Sequence, residues 1–315
     1  MSVPDPQASA SARPEAPEIS VHLALLSAQL FFGGFHVVAK AVLGSLEPLA
    51  LAGIRVAVAT PLMVLLAWRH DRFLPARRDL PLLLLLGVLG VFANQILFIV
   101  GLRYTTAINA AILMPSMPVF AVAAGALLGV ERIGSRRLLG IALSVAGALM
   151  LVNPLRLSGG VGGQALLGNV LILINCCCYA VFLVLQRPLL RRMPWRTLLA
   201  ASFVFGGTAT FLTSLPALSR LDAAAVPATT WWGVAYIVVF ATVVAYAINT
   251  WAVRRSSPSL VAAYGTLQPL VAAVLAASFL GERFGWAEGL GFGLIVAGLW
   301  QVSRRRGGPP GNTAT

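Results

Sequence analysis

GLRYTTAINAAILMPSMPVFAVAAGALLGVER, Gly101 to Arg132, returns later in the chain as AVRRSSPSLVAAYGTLQPLVAAVLAASFLGER, Ala252 to Arg283. Arg103, Pro118 and Glu131 of the first copy stand against Arg254, Pro269 and Glu282 of the second, each pair 151 residues apart. Both copies run through strongly apolar chain. A proline inside a helix removes one N–H, frees the carbonyl four residues earlier and tends to kink the helix. Within a membrane the freed carbonyl needs protein or water beside it. The two prolines are therefore expected to line a central interface and to act as bending or gating elements.

Around these copies the chain is of one kind. Of its 315 residues 58% are hydrophobic and 10% charged, against about 25% charged in soluble domains. Runs such as Leu49 to Trp68, Leu80 to Val100, Ala165 to Leu185 and Trp231 to Val253 approach the roughly 20 residues that cross a hydrocarbon core. The expected class is an all-α polytopic membrane protein with ten transmembrane helices. Their expected ranges are 21–42, 49–68, 80–100, 106–129, 138–153, 165–186, 197–216, 230–251, 259–280 and 285–303. Residues 21–153 form a first five-helix repeat and 165–303 a second, with a Gly-rich loop at 154–164. Residues 1–20, rich in Pro, Ala, Ser and Glu, read as a disordered tail without the apolar stretch of a signal peptide. Residues 304–315 read as a basic, disordered tail.

The loops alternate in charge. One set, from Arg13 through the arginines at 69–78, 132–137, 187–196, 254–255 and 304–306, holds 17 basic residues; the other, Lys40, Arg103, Arg156, Arg220 and Arg283, holds five. Basic loops stay cytoplasmic, so both termini are expected there. The formal net charge of +13 is thus membrane orientation and gives no footprint for nucleic acid. Five crossings per half is an odd number, so the second half is expected to be inverted relative to the first. Inverted halves are the usual plan of a secondary transporter, with the solute site at the repeat interface.

Polar residues inside apolar helices mark candidate sites, because they are costly against lipid. Gln29, Phe32, His36 and Lys40 lie at spacings of three, four and four on one stripe of the first helix. Lys40 reads equally as a residue reaching for the membrane surface. Arg55 lies inside the second helix, with Glu47 at the same end as its expected partner; substrate carboxylate binding is the other reading. Asn94 and Gln95 lie deep in the third helix, and Asn109, Ser116 and Pro118 in the fourth. Asn175, Tyr179 and Gln186 form a stripe on the sixth. Tyr246 and Asn249 sit in the eighth, with Tyr246 at the repeat position of Gln95, and Tyr264 and Gln268 share a face of the ninth. Many amides, few charges and several aromatics suit a neutral or zwitterionic solute with an apolar portion. The competing reading for about half of them is hydrogen bonding between helices. Glu131 and Glu282 follow glycines near helix ends and read as structural anchors for loop arginines.

Catalytic and metal chemistry find little to stand on. His22, His36 and His70 are scattered, and Cys176, Cys177 and Cys178 are consecutive on a helix, where neighbours point about 100° apart and cannot form a tetrahedral site. The cysteines read as small apolar packing residues. Gly159 to Gly163 lacks the Lys-Thr of a phosphate cradle. No enzyme activity, cofactor or metal is expected. The expected partners are a small-molecule substrate and membrane lipid, and a monomer is compatible with the sequence.

Taken in order, the motifs resemble the ten-helix EamA-like branch of the drug/metabolite transporter superfamily. Phe32-Gly33-Gly34-Phe35 followed by Lys40 matches its first-helix pattern, followed by Pro48 and Arg55. Gly101 to Ala107, Ala110-Ala111, Pro118 and Gly129-Val130-Glu131-Arg132 match its ALxYTSAxxAA…P…GE pattern. Ser256-Ser257-Pro258, Ala262-Ala263, Pro269 and Gly281-Glu282-Arg283 match it again, with Gly140 and Gly291 following. The one-residue insertion at Val130 and the charge at Arg103 depart from the pattern at helix ends. The resemblance spans residues 22 to 303. It implies that helices one, three, four, six, eight and nine surround a central cavity, with five and ten peripheral. It also implies alternating-access movement of metabolites, most often amino acids, with a YddG-like aromatic amino-acid exporter as the expected subtype. A sugar-phosphate or nucleotide-sugar exchanger is the alternative, and an intramembrane enzyme or non-transporting scaffold the alternative of another class. The Ala, Arg and Leu bias suggests a bacterial inner membrane.

Overall fold

In the computed structural model the described residues are 19–72, 74–127, 162–256, 264–281 and 285–303, with Val261 and scattered positions between 135 and 147. Both tails, most of the expected fifth segment, Glu131 and Glu282 lie outside them. Among the described residues seven helices are long and apolar enough to cross a membrane: α1 Ile19–Val42, α2 Pro48–His70, α3 Arg77–Tyr104, α4 Ala107–Gly125, α5 Gly163–Leu190, α6 Trp195–Ser219 and α7 Ala228–Arg255. Two shorter ones follow, α8 Gln268–Phe279 and α9 Trp286–Ser303. Several helices run past the apolar stretches that announce them: α7 continues through Arg254 and Arg255. Hydropathy marks the hydrocarbon-depth portion, while the helix carries on where arginine heads can reach water.

α1 shows how these helices are sorted by solvent. Ile19, Leu23, Leu26 and Leu30 are exposed along one side, whereas Val21, Leu25, Gln29 and His36 are buried on another. The apolar stripe faces outward and the polar stripe inward, as a bilayer requires, since lipid rewards apolar surface and the interior alone can partner amides. Gly33 and Gly34 allow close approach on the inner side. A Cβ on Gly33 would lie 2.5 Å from Val271 Cβ of α8. One on Gly34 would collide with the Tyr236 hydroxyl of α7, which donates to the Phe31 carbonyl at 3.1 Å.

Breaks in helical regularity recur at matching positions in the two halves. α4 is interrupted by a 3-10 turn at Met114–Ser116, and Gly265–Leu267 forms a 3-10 turn directly before α8. The two turns stand the same 151 residues apart as Pro118 and Pro269, which they immediately precede. Each proline is thus the second residue of a fresh helical segment, where its missing N–H costs no hydrogen bond. In the first half Pro115 lies within the turn, and the Leu113 carbonyl there accepts from the Ser116 hydroxyl and, at 3.6 Å, from the Cys176 thiol. Cys176 therefore supplies a hydrogen bond as well as packing volume. α3 and α7 carry a second paired irregularity, π-helical turns at Val88–Ala93 and Ile237–Val244, whose last residues are again 151 apart. No proline or glycine cluster announces them.

Cross-links between loops fix the two ends of the bundle. Arg196 pairs with Asp71 at 2.9 Å and Arg192 with Asp79 at 3.5 Å, joining the α2–α3 connection to the α5–α6 connection at the arginine-rich end. At the other end Lys40 donates to the carbonyls of Leu102 (2.8 Å), Arg103 (3.3 Å) and Thr105 at the close of α3. Arg103 in turn donates to the Leu43 carbonyl beyond α1. Lys40 is thus a cation on the negative pole of a neighbouring helix, a stronger role than surface snorkelling. α4 begins with Thr106 accepting from the Asn109 backbone N–H at 3.0 Å, a standard N-cap bond. α9 lies against α4, and Gly281, at φ 64°, ends α8 in the left-handed conformation that glycine adopts without steric cost.

Candidate functional site

A central cavity of about 80 Å³ opens where both halves meet. Its wall takes Gln29, Phe32, Phe35 and His36 from α1, Arg55 from α2, Asn94, Gln95 and Phe98 from α3, and Met114 and Met117 from α4. Asn175, Tyr179 and Leu183 come from α5, Tyr246 and Asn249 from α7, and Val261, Gly265 and Gln268 from α8 and the chain before it. Ten of the twelve residues expected around a solute lie on this wall. They come from the helices that the family resemblance implied, with α2 added through Arg55.

Three hydrogen bonds arrange the amides. Tyr246 donates its hydroxyl to Asn94 Oδ1 at 2.7 Å, Asn175 donates to the Asn94 carbonyl at 2.7 Å, and Gln268 Nε2 donates to Gln29 Oε1 at 2.7 Å. The first two tie α3 to α7 and α5 beside the π turn that ends at Ala93. The third ties α1 to α8 across 239 residues of sequence. Other polar atoms on the wall lack a protein partner: His36 Nε2, both amide atoms of Gln95, and Asn249 Oδ1. His36 Nδ1 lies 2.7 Å from the Phe32 carbonyl. A carbonyl only accepts, so Nδ1 carries the proton, and in the neutral form of the ring Nε2 presents a lone pair.

Aromatic rings build the apolar side. Tyr246 is ringed edge-on by Phe203 (5.5 Å between centroids), Tyr179 (6.1 Å) and Phe32 (6.3 Å). Phe35 stacks on Phe98 at 4.9 Å, and His36 meets Phe98 edge-on at 5.3 Å. Arg55, 2% exposed, places its guanidinium 4.7 Å from the centre of the Phe35 ring and donates to Thr242 Oγ1 from Nε (3.2 Å) and Nη2 (3.0 Å). Thr242 sits in the π turn of α7 and donates its own proton to the Ile237 carbonyl at 2.8 Å, leaving its lone pairs for Arg55.

Three expectations change. Arg55 does not meet Glu47; Glu47 lies 3.9 Å from Arg220, while Arg55 turns inward across the bundle to α7. Asn109 is away from the cavity wall, in the first turn of α4 at the Thr106 cap, and Met114 and Met117 represent α4 on the wall instead. Tyr264 is off the wall too: its hydroxyl is 2.6 Å from His22 Nδ1, joining the start of α1 to the chain before α8. Phe35 and Phe98 were not anticipated, though Phe98 lies one helical turn from Asn94 and Gln95, and Phe35 one turn from Phe32 and next to His36. Thr242 gave no signal, since a threonine in a valine-rich run looks like ordinary helix.

Comparison with known proteins agrees with this duplicated architecture. The model of the EamA-like transporter family matches residues 19–153 and again residues 166–304. Protein WALLS ARE THIN 1 of Arabidopsis thaliana is 28% identical over 90% of this chain and 82% of its own length. An uncharacterized transporter of Archaeoglobus fulgidus is 29% identical over 90% of this chain and 98% of its own. The uncharacterized transporter YyaM of Bacillus subtilis is 22% identical over 90% and 94%. A solved crystal structure superposes with a TM-score of 0.62 at 17% identity, covering 90% of this chain and 97% of its own, which shows a shared fold.

Proposed function

The chain belongs to the EamA-like transporter family of the drug/metabolite superfamily, and from that premise we propose that it is a secondary carrier of amino acids with aromatic or other apolar side chains. The observation that carries this reading is the cavity wall. Three buried residues, His36, Gln95 and Asn249, hold polar atoms without a protein partner beside a cluster of phenylalanines and tyrosines. Such groups cost about 1–3 kcal/mol each unless something else meets them, and a polar solute with an apolar body, or water in its absence, does so. Ten crossings as two inverted five-helix halves, with both termini cytoplasmic, remain part of the proposal. Its support is the double family match, the paired irregularities and the clustering of arginines at one end.

Alternating access then comes from rocking of the halves around this cavity. The contacts that must loosen lie on both sides of it. Toward the arginine-rich end these are Gln29 with Gln268 and His22 with Tyr264; toward the other end, Phe35 with Phe98. The breaks before Pro118 and Pro269 are where α4 and α8 would bend. A sugar-phosphate exchanger fits less well, since Lys40 is engaged with α3 carbonyls and among the described residues Arg55 is the one arginine or lysine on the wall. A bacterial inner membrane is the proposed location.

The test is uptake of labelled amino acids by liposomes containing the purified protein, without an imposed ion gradient. Saturable uptake, competed by unlabelled phenylalanine or leucine and reduced in His36→Ala, is the expected result. No amino-acid uptake by folded protein, with or without a pH gradient, would refute the substrate assignment and favour phosphorylated solutes.

A further inference from the structure

Arg55 stands out among the groups on the cavity wall. It is a buried cation, and among the described residues no carboxylate pairs with it: Asp71, Asp79 and Glu47 are engaged with arginines at the bundle ends. Among the described residues no Asp or Glu lies on the cavity wall. A buried charge without a counter-charge is costly, and proteins rarely keep one without a partner. The guanidinium has five N–H donors in a planar fork. Its bonds to Thr242 use Nε and Nη2, and Phe35 covers one face. The remaining edge belongs to a residue that borders the cavity.

Its surroundings are built to hold it still. The Thr242 hydroxyl is committed to the Ile237 carbonyl, so its lone pairs point to Arg55, and the π turn sets that hydroxyl in place. Two hydrogen bonds and a ring contact on a long side chain fix one rotamer, which is the preorganisation a bidentate anion contact needs. Among the other groups without protein partners on this wall, the Nε2 lone pair of His36, Oε1 of Gln95 and Oδ1 of Asn249 are acceptors, and Gln95 Nε2 is a further donor. A donor fork and acceptor atoms around one small cavity complement a molecule carrying a carboxylate and an ammonium.

We propose that Arg55 is the carboxylate anchor of the central site, so that the solutes selected are monocarboxylates with an apolar body, α-amino acids among them. This rests on the transport reading and narrows it. His36 Nε2 and Asn249 Oδ1 receive the ammonium protons, and Phe32, Tyr179 and Tyr246 cover the side chain.

The experiment is equilibrium binding to the purified full-length protein with two matched probe pairs: L-phenylalanine against L-phenylalaninamide, and 3-phenylpropionate against 3-phenylpropionamide. Each pair differs in the carboxylate alone. Hydrogen bonds to a charged group predict that the wild type prefers the carboxylate member by about 10- to 100-fold. Arg55→Gln abolishes that preference by weakening the carboxylate probes while leaving the amides within about threefold. Thr242→Val, which removes the clamp and keeps the charge, reduces the preference in part and covers the case in which Arg55→Gln does not fold. A wild type that does not favour the carboxylate members overturns the assignment, as does a folded Arg55→Gln protein that still favours them. The outcomes separate from the amino-acid reading. Preference for 3-phenylpropionate with no binding of phenylalanine sustains Arg55 and sinks the amino acid. Saturable phenylalanine uptake without carboxylate preference does the reverse.

Discussion

Tyr246→Phe removes one oxygen from the centre of the molecule and leaves every ring contact in place. The lost hydroxyl donates to Asn94 Oδ1 at 2.7 Å and ties α7 to α3. The rings of Phe203, Tyr179 and Phe32, at 5.5–6.3 Å, still enclose a phenylalanine of the same outline, so no cavity term arises. A hydrogen bond of this kind contributes about 0.5–1.5 kcal/mol, and an acceptor left buried without a partner costs about 1–3 kcal/mol. Asn94 borders the cavity, where water can replace the donor, which draws the expectation toward about 1 kcal/mol. Interhelical bonds within membranes average about 0.6 and reach about 1.7 kcal/mol. The assay is a double-mutant cycle of Tyr246→Phe with Asn94→Ala, read by reversible unfolding in bicelles. A coupling energy of about 0.6–1.7 kcal/mol is expected. Strictly additive losses would show that the α3–α7 bond does not exist in the membrane, and the arrangement of the wall around it would fall with it.

Other perturbations follow from the same geometry. Gly33→Ala places a Cβ 2.5 Å from Val271 Cβ; overpacking of this kind costs about 1–3 kcal/mol, measured as a lower unfolding temperature, and Val271→Ala in the same chain restores part of it. Lys40→Met removes the cation from the α3 carbonyls, costing up to about 2 kcal/mol with solute affinity unchanged; a selective loss of affinity would return Lys40 to the cavity. Thr106→Ala removes the α4 cap and costs about 1 kcal/mol. Asn109→Ala keeps its backbone N–H and with it that bond, so neither stability nor affinity changes, as thermal and binding measurements would show.

The class of this protein and the breaks before Pro118 and Pro269 are legible in the chain, because each depends on local properties. An apolar run long enough to span hydrocarbon is a helix wherever it packs, since no other open structure satisfies its backbone. A proline removes its hydrogen bond regardless of neighbours. The stripe of Gln29, Phe32 and His36 was legible for the same reason: helical spacing alone puts the three on one side of α1, and lipid excludes their amide and imidazole. Ten of the expected wall residues followed from that logic.

What depends on which helix lies opposite was not legible. Arg55 has Glu47 eight residues away, yet it bonds Thr242, 187 residues on, because the side chain turns into the bundle while Glu47 stays near Arg220. The π turns at Val88–Ala93 and Ile237–Val244 arise where packing accommodates one more residue per turn, and no residue type marks them. They decide where Asn94, Thr242 and Tyr246 point. The chain by itself determined a duplicated membrane bundle with polar residues inside, since burial in lipid acts on each helix separately. Only the tertiary structure decided which polar atoms satisfy one another and which face the cavity, because hydrogen-bond partners up to 242 residues apart meet through packing alone.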